Sequence, residues 1–183
     1  NAAGSLTTLA AGGDITVAAG AVSGDITLGG NVTALDAIQM TALGGAINQT
    51  GGDITAQSLL FNADGSVVLT SAGNDLGTVA GTAASLTIND INALDLGTLA
   101  IVNNLSVTAL AGNITDSGVI SVGGNTVFSV AAANSIVLDE ASTFTGTVTV
   151  PASFANLTLN DSTALSLNAF TLSGDLDLTA ASL

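Results

Sequence analysis

The 183-residue chain contains no lysine, arginine or histidine, and no cysteine, tryptophan or tyrosine; proline and methionine occur once each. Each absence closes a class of function. Nucleic-acid affinity rests on cations set against phosphates, and this chain has none. Anionic membrane surfaces are closed for the same reason. Without His, Cys, Lys, Arg or Tyr, the usual bases, nucleophiles and oxyanion clamps are missing. A carboxylate pair can cleave glycosides, but no spacing here singles one out. Zero cysteine removes any disulfide framework, leaves the redox compartment open and suits a chain exported unfolded. Trypsin has no site.

Acidic residues number 14, all Asp except Glu140, for a formal net charge of −14. Only 8% of the chain is charged, while 48% is hydrophobic and 22 residues are glycine. A spanning helix needs about 20 mostly apolar residues, yet the uncharged stretch 117–138 is broken repeatedly by Gly, Asn, Ser and Thr. There is no basic flank to orient a helix. Five Phe cannot supply the aromatic girdles of an outer-membrane barrel. No membrane insertion is expected. The opening NAAGSLTTLAAGGD carries neither a signal-peptide pattern nor an initiating Met, and reads as a cut within a longer repetitive chain.

What is present is repetition. NDINALDL (89–96) returns as NDSTALSL (160–167), and the gapless alignment of 89–110 with 160–181 gives eight identities in 22. A second echo sets MTALGGAINQTG (40–51) on VTALAGNITDSG (107–118), with six identities in 12. The expectation is a super-repeat of about 70 residues. Inside it lie short alternating pieces: IQMTA (38–42), LLFNA (59–63), SLTIN (85–89), LSVTA (105–109), TVFSV (126–130) and LDLTA (176–180). Most steps are roughly 20 residues, the length of one solenoid coil. The step from 59–63 to 85–89 is longer. Turn signals such as GGD (12–14), SGD (23–25) and ADG (63–65) separate the pieces, and Pro151 is expected to end the TVTV strand.

Short strands recurring every ~20 residues predict an all-β parallel β-helix, or β-solenoid: about nine coils forming one segment over 1–183, a rod of roughly 40 Å. Such a rod turns alternate residues inward, which accounts for the high hydropathy. The segment 34–43 is built of good helix formers. Its counterpart 103–110 is not, so a strand is expected there.

The stretch 105–150, with its Leu-x-Val-x-Ala strand (105–109), Gly-x-Ile-Thr-Asp-Ser-Gly turn (112–118), Val-x-Phe strand (127–130) and Asn-led segment 134–138, followed by 157–180, resembles repeats of filamentous-haemagglutinin-like adhesins. The likeness runs over roughly 23–180. It implies a bacterial cell-surface or secreted, extracellular protein exported by a two-partner or related pathway, with a stalk or fibre role. The expected partners are neighbouring coils or identical subunits end to end, with host receptors or glycans met through other regions.

Several residues are candidates for more than scaffolding. Asp14, Asp25, Asp53 and Asp175, in Gly-Asp-Ile-Thr-like contexts, offer carboxylates to calcium; the competing role is accepting local backbone hydrogen bonds where a strand opens. Asp139, Glu140, Asp175 and Asp177 form the best remaining acidic pairs, although calcium takes six to eight oxygens. No other cofactor is implied. Fifteen Asn cluster at turns and could align into amide ladders. Asn31, Asn48, Asn104, Asn113, Asn156 and Asn160 match the glycosylation acceptor pattern. Thr143, Thr145, Thr147 and Thr149 fall at alternate positions of one expected strand face. Phe61, Phe128, Phe144, Phe154 and Phe170 are expected in the core rather than in a sugar-binding groove.

Overall fold

The computed structural model describes residues 6–7, 13–20 and 24–183. Gly12 and Ser23, within two of the turn signals, lie outside the described residues, as does most of the opening segment. The described elements are all strands, and every pairing between them is parallel. They form a 12-stranded sheet, an 8-stranded sheet and a 2-stranded sheet, wound as a β-solenoid.

The winding is read from register. In the 8-stranded sheet Ile26 pairs with Ile47, Ile47 with Val67, Val67 with Leu86 and Leu86 with Leu105. The column continues through Thr126 and Val148 to Leu167. Each step advances the chain by one coil. Among the described residues this makes about eight turns of about 20 residues, the coil length expected from the sequence pieces.

The alternation predicted from sequence is the burial pattern. Ile26, Ile47, Val67, Leu86, Leu105 and Val148 point inward and are buried. Thr27, Thr87 and Ser106, one residue on, face outward and are half-buried. The 12-stranded sheet supplies the opposite wall through Ile38, Leu59, Val79 and Leu96. Phe61, Phe128, Phe144 and Phe154 are fully buried, and Phe170 packs half-buried against the same core. Phe128 and Phe144 meet edge to face, with centroids 6.1 Å apart at 88°. Residues 34–43 contain the strand Ala37–Ala42, not a helix. Pro151 follows the strand Thr147–Thr149, as its missing N–H requires.

The super-repeat has an unexpected geometry. Asn89 and Asp90 close the strand Ser85–Asp90 of the 8-stranded sheet; Asn160 and Asp161 lie in Leu157–Ala164 of the 12-stranded sheet. The offset from Asn89 to Asn160 is about three and a half turns, so the repeated sequence lands on the opposite wall. The inward phase survives: Asp90 and Asp161 are both buried, at 0% and 1% exposure. The long step between 59–63 and 85–89 has the same origin, since those pieces belong to different sheets.

The Thr row is a correction. Thr143 ends up in the strand Ile136–Phe144 of the 12-stranded sheet, while Thr147 and Thr149 belong to the 8-stranded sheet. Thr145 sits in the corner between them. Gly146 turns that corner, its N–H donating to the Gly124 carbonyl at 3.2 Å. A side chain at Gly146 would meet the Gly124 backbone.

Candidate functional site

Solenoid corners are where backbone groups lose their strand partners, and here Asx side chains replace them. Asn31 Oδ1 accepts from the Asp53 amide at 2.9 Å, Asn113 Oδ1 from Ser135 at 2.8 Å and Asn156 Oδ1 from Asp175 at 2.7 Å. At a second corner Asn104 Oδ1 accepts from Asn125, whose own Oδ1 accepts from Thr147. Each bond ties one turn to the next. The side-chain amide ladder expected from the sequence is not what forms at these corners: backbone amides, not other side-chain amides, donate to the Asn oxygens. Four of the six acceptor-pattern residues, Asn31, Asn104, Asn113 and Asn156, are committed to these bonds.

Two of the Gly-Asp-Ile-Thr carboxylates do the same work. Asp14 Oδ1 accepts from Ala37 at 3.1 Å and Asp25 Oδ1 from Ala46 at 2.8 Å. Asp53 Oδ1 takes the Ser71 hydroxyl at 2.5 Å. These bonds span turns, where the sequence alone suggests local ones. Asp175 donates its amide to Asn156 Oδ1.

Inside the wall lies a polar knot. Asn74 has no exposed surface. Its Oδ1 accepts from Gln49 Nε2 at 2.7 Å and from the Ile54 amide at 2.9 Å, and its Nδ2 donates to Gln49 Oε1 at 3.0 Å. Buried Asp90 accepts the amides of Leu76 at 2.8 Å and Asn92 at 2.9 Å. Desolvation nevertheless pushes the Asp90 carboxyl above its usual range. Asp161 repeats the arrangement, accepting from the Thr163 amide at 2.9 Å and the Phe144 amide at 3.3 Å. The repeated Asn-Asp pair thus turns its Asp into the wall against backbone amides, at a strand end in one sheet and beside a register shift in the other.

Asp95, Asp116 and Asp139–Glu140 fall on three successive turns of the 12-stranded sheet. Asp95 accepts hydroxyls of Thr78, Thr115 and Ser117 at 3.1, 3.3 and 2.6 Å. Asp116 Oδ1 accepts the Asp139 amide at 2.9 Å, while its Oδ2 is buried without a partner. Burial first, and then the neighbouring Asp139 carboxylate, push the Asp116 carboxyl up to about 6. A register shift between Leu138 and Ser142 turns Asp139 and Glu140 out into solvent. Asp175 and Asp177 are exposed near the strand Leu176–Ser182, where Asp177 pairs with Thr158 and Thr158 with Val137. The two acidic pairs therefore sit two turns apart. Among the described residues no group of three or more His, Cys, Asp or Glu is placed to hold a metal ion.

The surface depressions are open and poor in chemistry. One of about 290 Å³ is lined by Gln39, Leu60, Phe61 and Thr82 among others, without an ionisable group. Another of about 360 Å³ is lined by Thr33, Leu35, Gln57 and a single carboxylate, Asp75.

A family model described as Repeats of unknown function (DUF5649) matches residues 81–151 and again 155–183. The chain belongs to that repeat family. Its matched segments begin at 81 and 155, a spacing close to that of the internal echo between 89–110 and 160–181. No curated protein and no solved structure matches the chain. In this DUF5649 chain the matched repeats fold as stacked parallel strands. Among the described residues no helix is long and apolar enough to cross a membrane.

Proposed function

We propose that the chain is a structural stalk or fibre segment of a secreted or cell-surface bacterial adhesin, non-catalytic in itself, holding other regions away from the surface. The observation that carries this reading is the unbroken column from Ile26 to Leu167, tied at its corners by side chains that bond to the next turn. Such a stack grows by addition of turns without new contacts of another kind, as a spacer requires. The adhesin-like repeats of 105–150 and 157–180 support the extracellular placement, and the zero cysteine count accords with it. The shallow, nearly charge-free depressions suit a scaffold better than a catalyst.

A second reading is a self-assembling filament of subunits stacked end to end, favoured by the parallel pairing of each turn with the next along one column, a pairing that one chain can extend to another. The length of the intact polypeptide separates the two. A native band of thousands of residues in denaturing electrophoresis supports the stalk; one near the 17.5 kDa of this chain supports the filament. Surface labelling of intact cells by an antibody to the segment tests the extracellular placement, and labelling only after lysis overturns it.

A further inference from the structure

The charge of this protein is distributed unevenly over its surface. In the eight strands of the 8-stranded sheet the only acidic residue is Asp90, and it is buried. The strands of the 12-stranded sheet carry Asp75, Asp95, Asp116, Asp139, Glu140 and Asp177, besides the buried Asp161. The outward side of these strands is thus free of charge on a chain of net charge −14, with exposed Asp25 and Asp64 at the margin where the first strands open. Its central column runs through Thr27, Asn48, Val68, Thr87, Ser106 and Val127. Val127 is 41% exposed, and Ile91 and Leu110, both 44% exposed, lie at one margin. The sheet pairs without a register shift, whereas the 12-stranded sheet is interrupted at Leu96/Leu99, Leu138/Ser142 and Asp161/Ala164.

We propose that this face is a lateral docking surface for a second copy of the chain, so that two solenoids pair side by side. Two copies that both lack cations repel wherever carboxylates face one another; the strand rows of this face meet their own image without opposing charges, and Asp25 and Asp64 are left at the rim. An isologous pairing brings the same Val, Thr and Ser rows together across a two-fold axis. The eight strands run from two to six residues, about four on average; at ~4.8 Å per strand and ~3.3 Å per residue they give roughly 500 Å² per copy. Two copies bury roughly 1,000 Å², at the threshold for a specific interface and in the range of weak, transient pairs. Pairing is therefore reversible and strengthens with salt, which screens the remaining carboxylates. It requires no free strand edge and is independent of end-to-end stacking.

The test is sedimentation velocity of the intact chain over a concentration series at low and high ionic strength. Its companions are Val127→Asp and Thr108→Asp on the neutral face and Ala100→Asp on the exposed side of the 12-stranded sheet, each checked for an unchanged strand signal in circular dichroism. The expected result is a salt-enhanced dimer, weakened roughly tenfold or more by either substitution on the neutral face and retained by Ala100→Asp. A chain that stays monomeric throughout overturns the proposal. So does association that survives Val127→Asp and Thr108→Asp, which assigns it to the solenoid ends, or association lost in Ala100→Asp, which assigns it to the other sheet. A monomer that instead adheres to a neutral insoluble polysaccharide also overturns it, giving the face a different occupant.

Discussion

Asp116 and Asp139, on neighbouring turns, are joined by a single hydrogen bond: the Asp139 amide donates to Asp116 Oδ1 at 2.9 Å. The same approach brings their carboxylates together and leaves Asp116 Oδ2 buried and unpartnered. The Asp116 carboxyl rises from 3.8 to about 6, and that of Asp90 rises too. A carboxyl raised by folding stabilises the fold when protonated. That stability is complete below 3.8 and is lost as pH climbs through about 6. Thermal melts should therefore show a higher Tm at pH 4 than at pH 8, and Asp116→Asn should raise the Tm at pH 8 while flattening the profile. A Tm that increases from pH 4 to pH 8 contradicts this.

Thr126 occupies an inward position between Leu105 and Val148, with no exposed surface and a hydroxyl without a partner. Thr126→Val keeps the shape and removes the unpaired group. The expected gain is about 1 kcal/mol, read as a Tm increase of roughly 2–4 °C. A loss of stability would mean that the hydroxyl is satisfied in solution.

Asn74 has the opposite standing, since its amide is bonded on every side. Asn74→Ala strands Gln49 and the Ile54 amide inside the wall. The expected cost is on the order of 3 kcal/mol, measured by chemical denaturation. A cost below about 1 kcal/mol would show that water or a neighbour replaces the amide.

Net charge acts on the whole rod. With 14 carboxylates and no cation, added salt and divalent cations should raise the Tm by screening repulsion. Melting that ignores ionic strength contradicts that expectation.

The strands were legible where apolar and small polar residues alternate strictly: Leu105–Ala109 and Thr126–Val130 match their sequence pieces end to end. The strand Asp75–Ala83 was hidden, because Gly77 and Gly81 break the alternation. Both glycines are structural: a side chain at Gly81, where φ is 144°, would run into the Phe61 carbonyl oxygen, and one at Gly77 would meet that of Gln57. Which wall a strand joins could not be read, because both walls impose the same inward phase. That is why Asp90 and Asp161, alike in sequence, occupy different sheets. The corner network was half legible. Asn and Asp announce turns, but their partners are set by register between turns, as Asn104 with Asn125 and Asp25 with Ala46 show. The burial of the Asp116 Oδ2 atom and the neutral strand rows of the 8-stranded sheet follow from the winding alone and have no local signal.

The central claim is that successive turns pile along one axis, and the absence of cysteine makes it directly measurable by paired spin labels. Ala18, Asn62 and Ser162 are exposed on one outward column of the 12-stranded sheet. Cysteines introduced at Asn62 and Ser162 lie five strand spacings apart, and those at Ala18 and Ser162 seven. The expected backbone separations, at ~4.8 Å per turn, are roughly 24 Å and roughly 34 Å. Two narrow distributions in that proportion are the expected result. Equal distances for the two pairs, or a separation that shrinks as the sequence interval grows, would contradict the stacked solenoid and the structural role built on it.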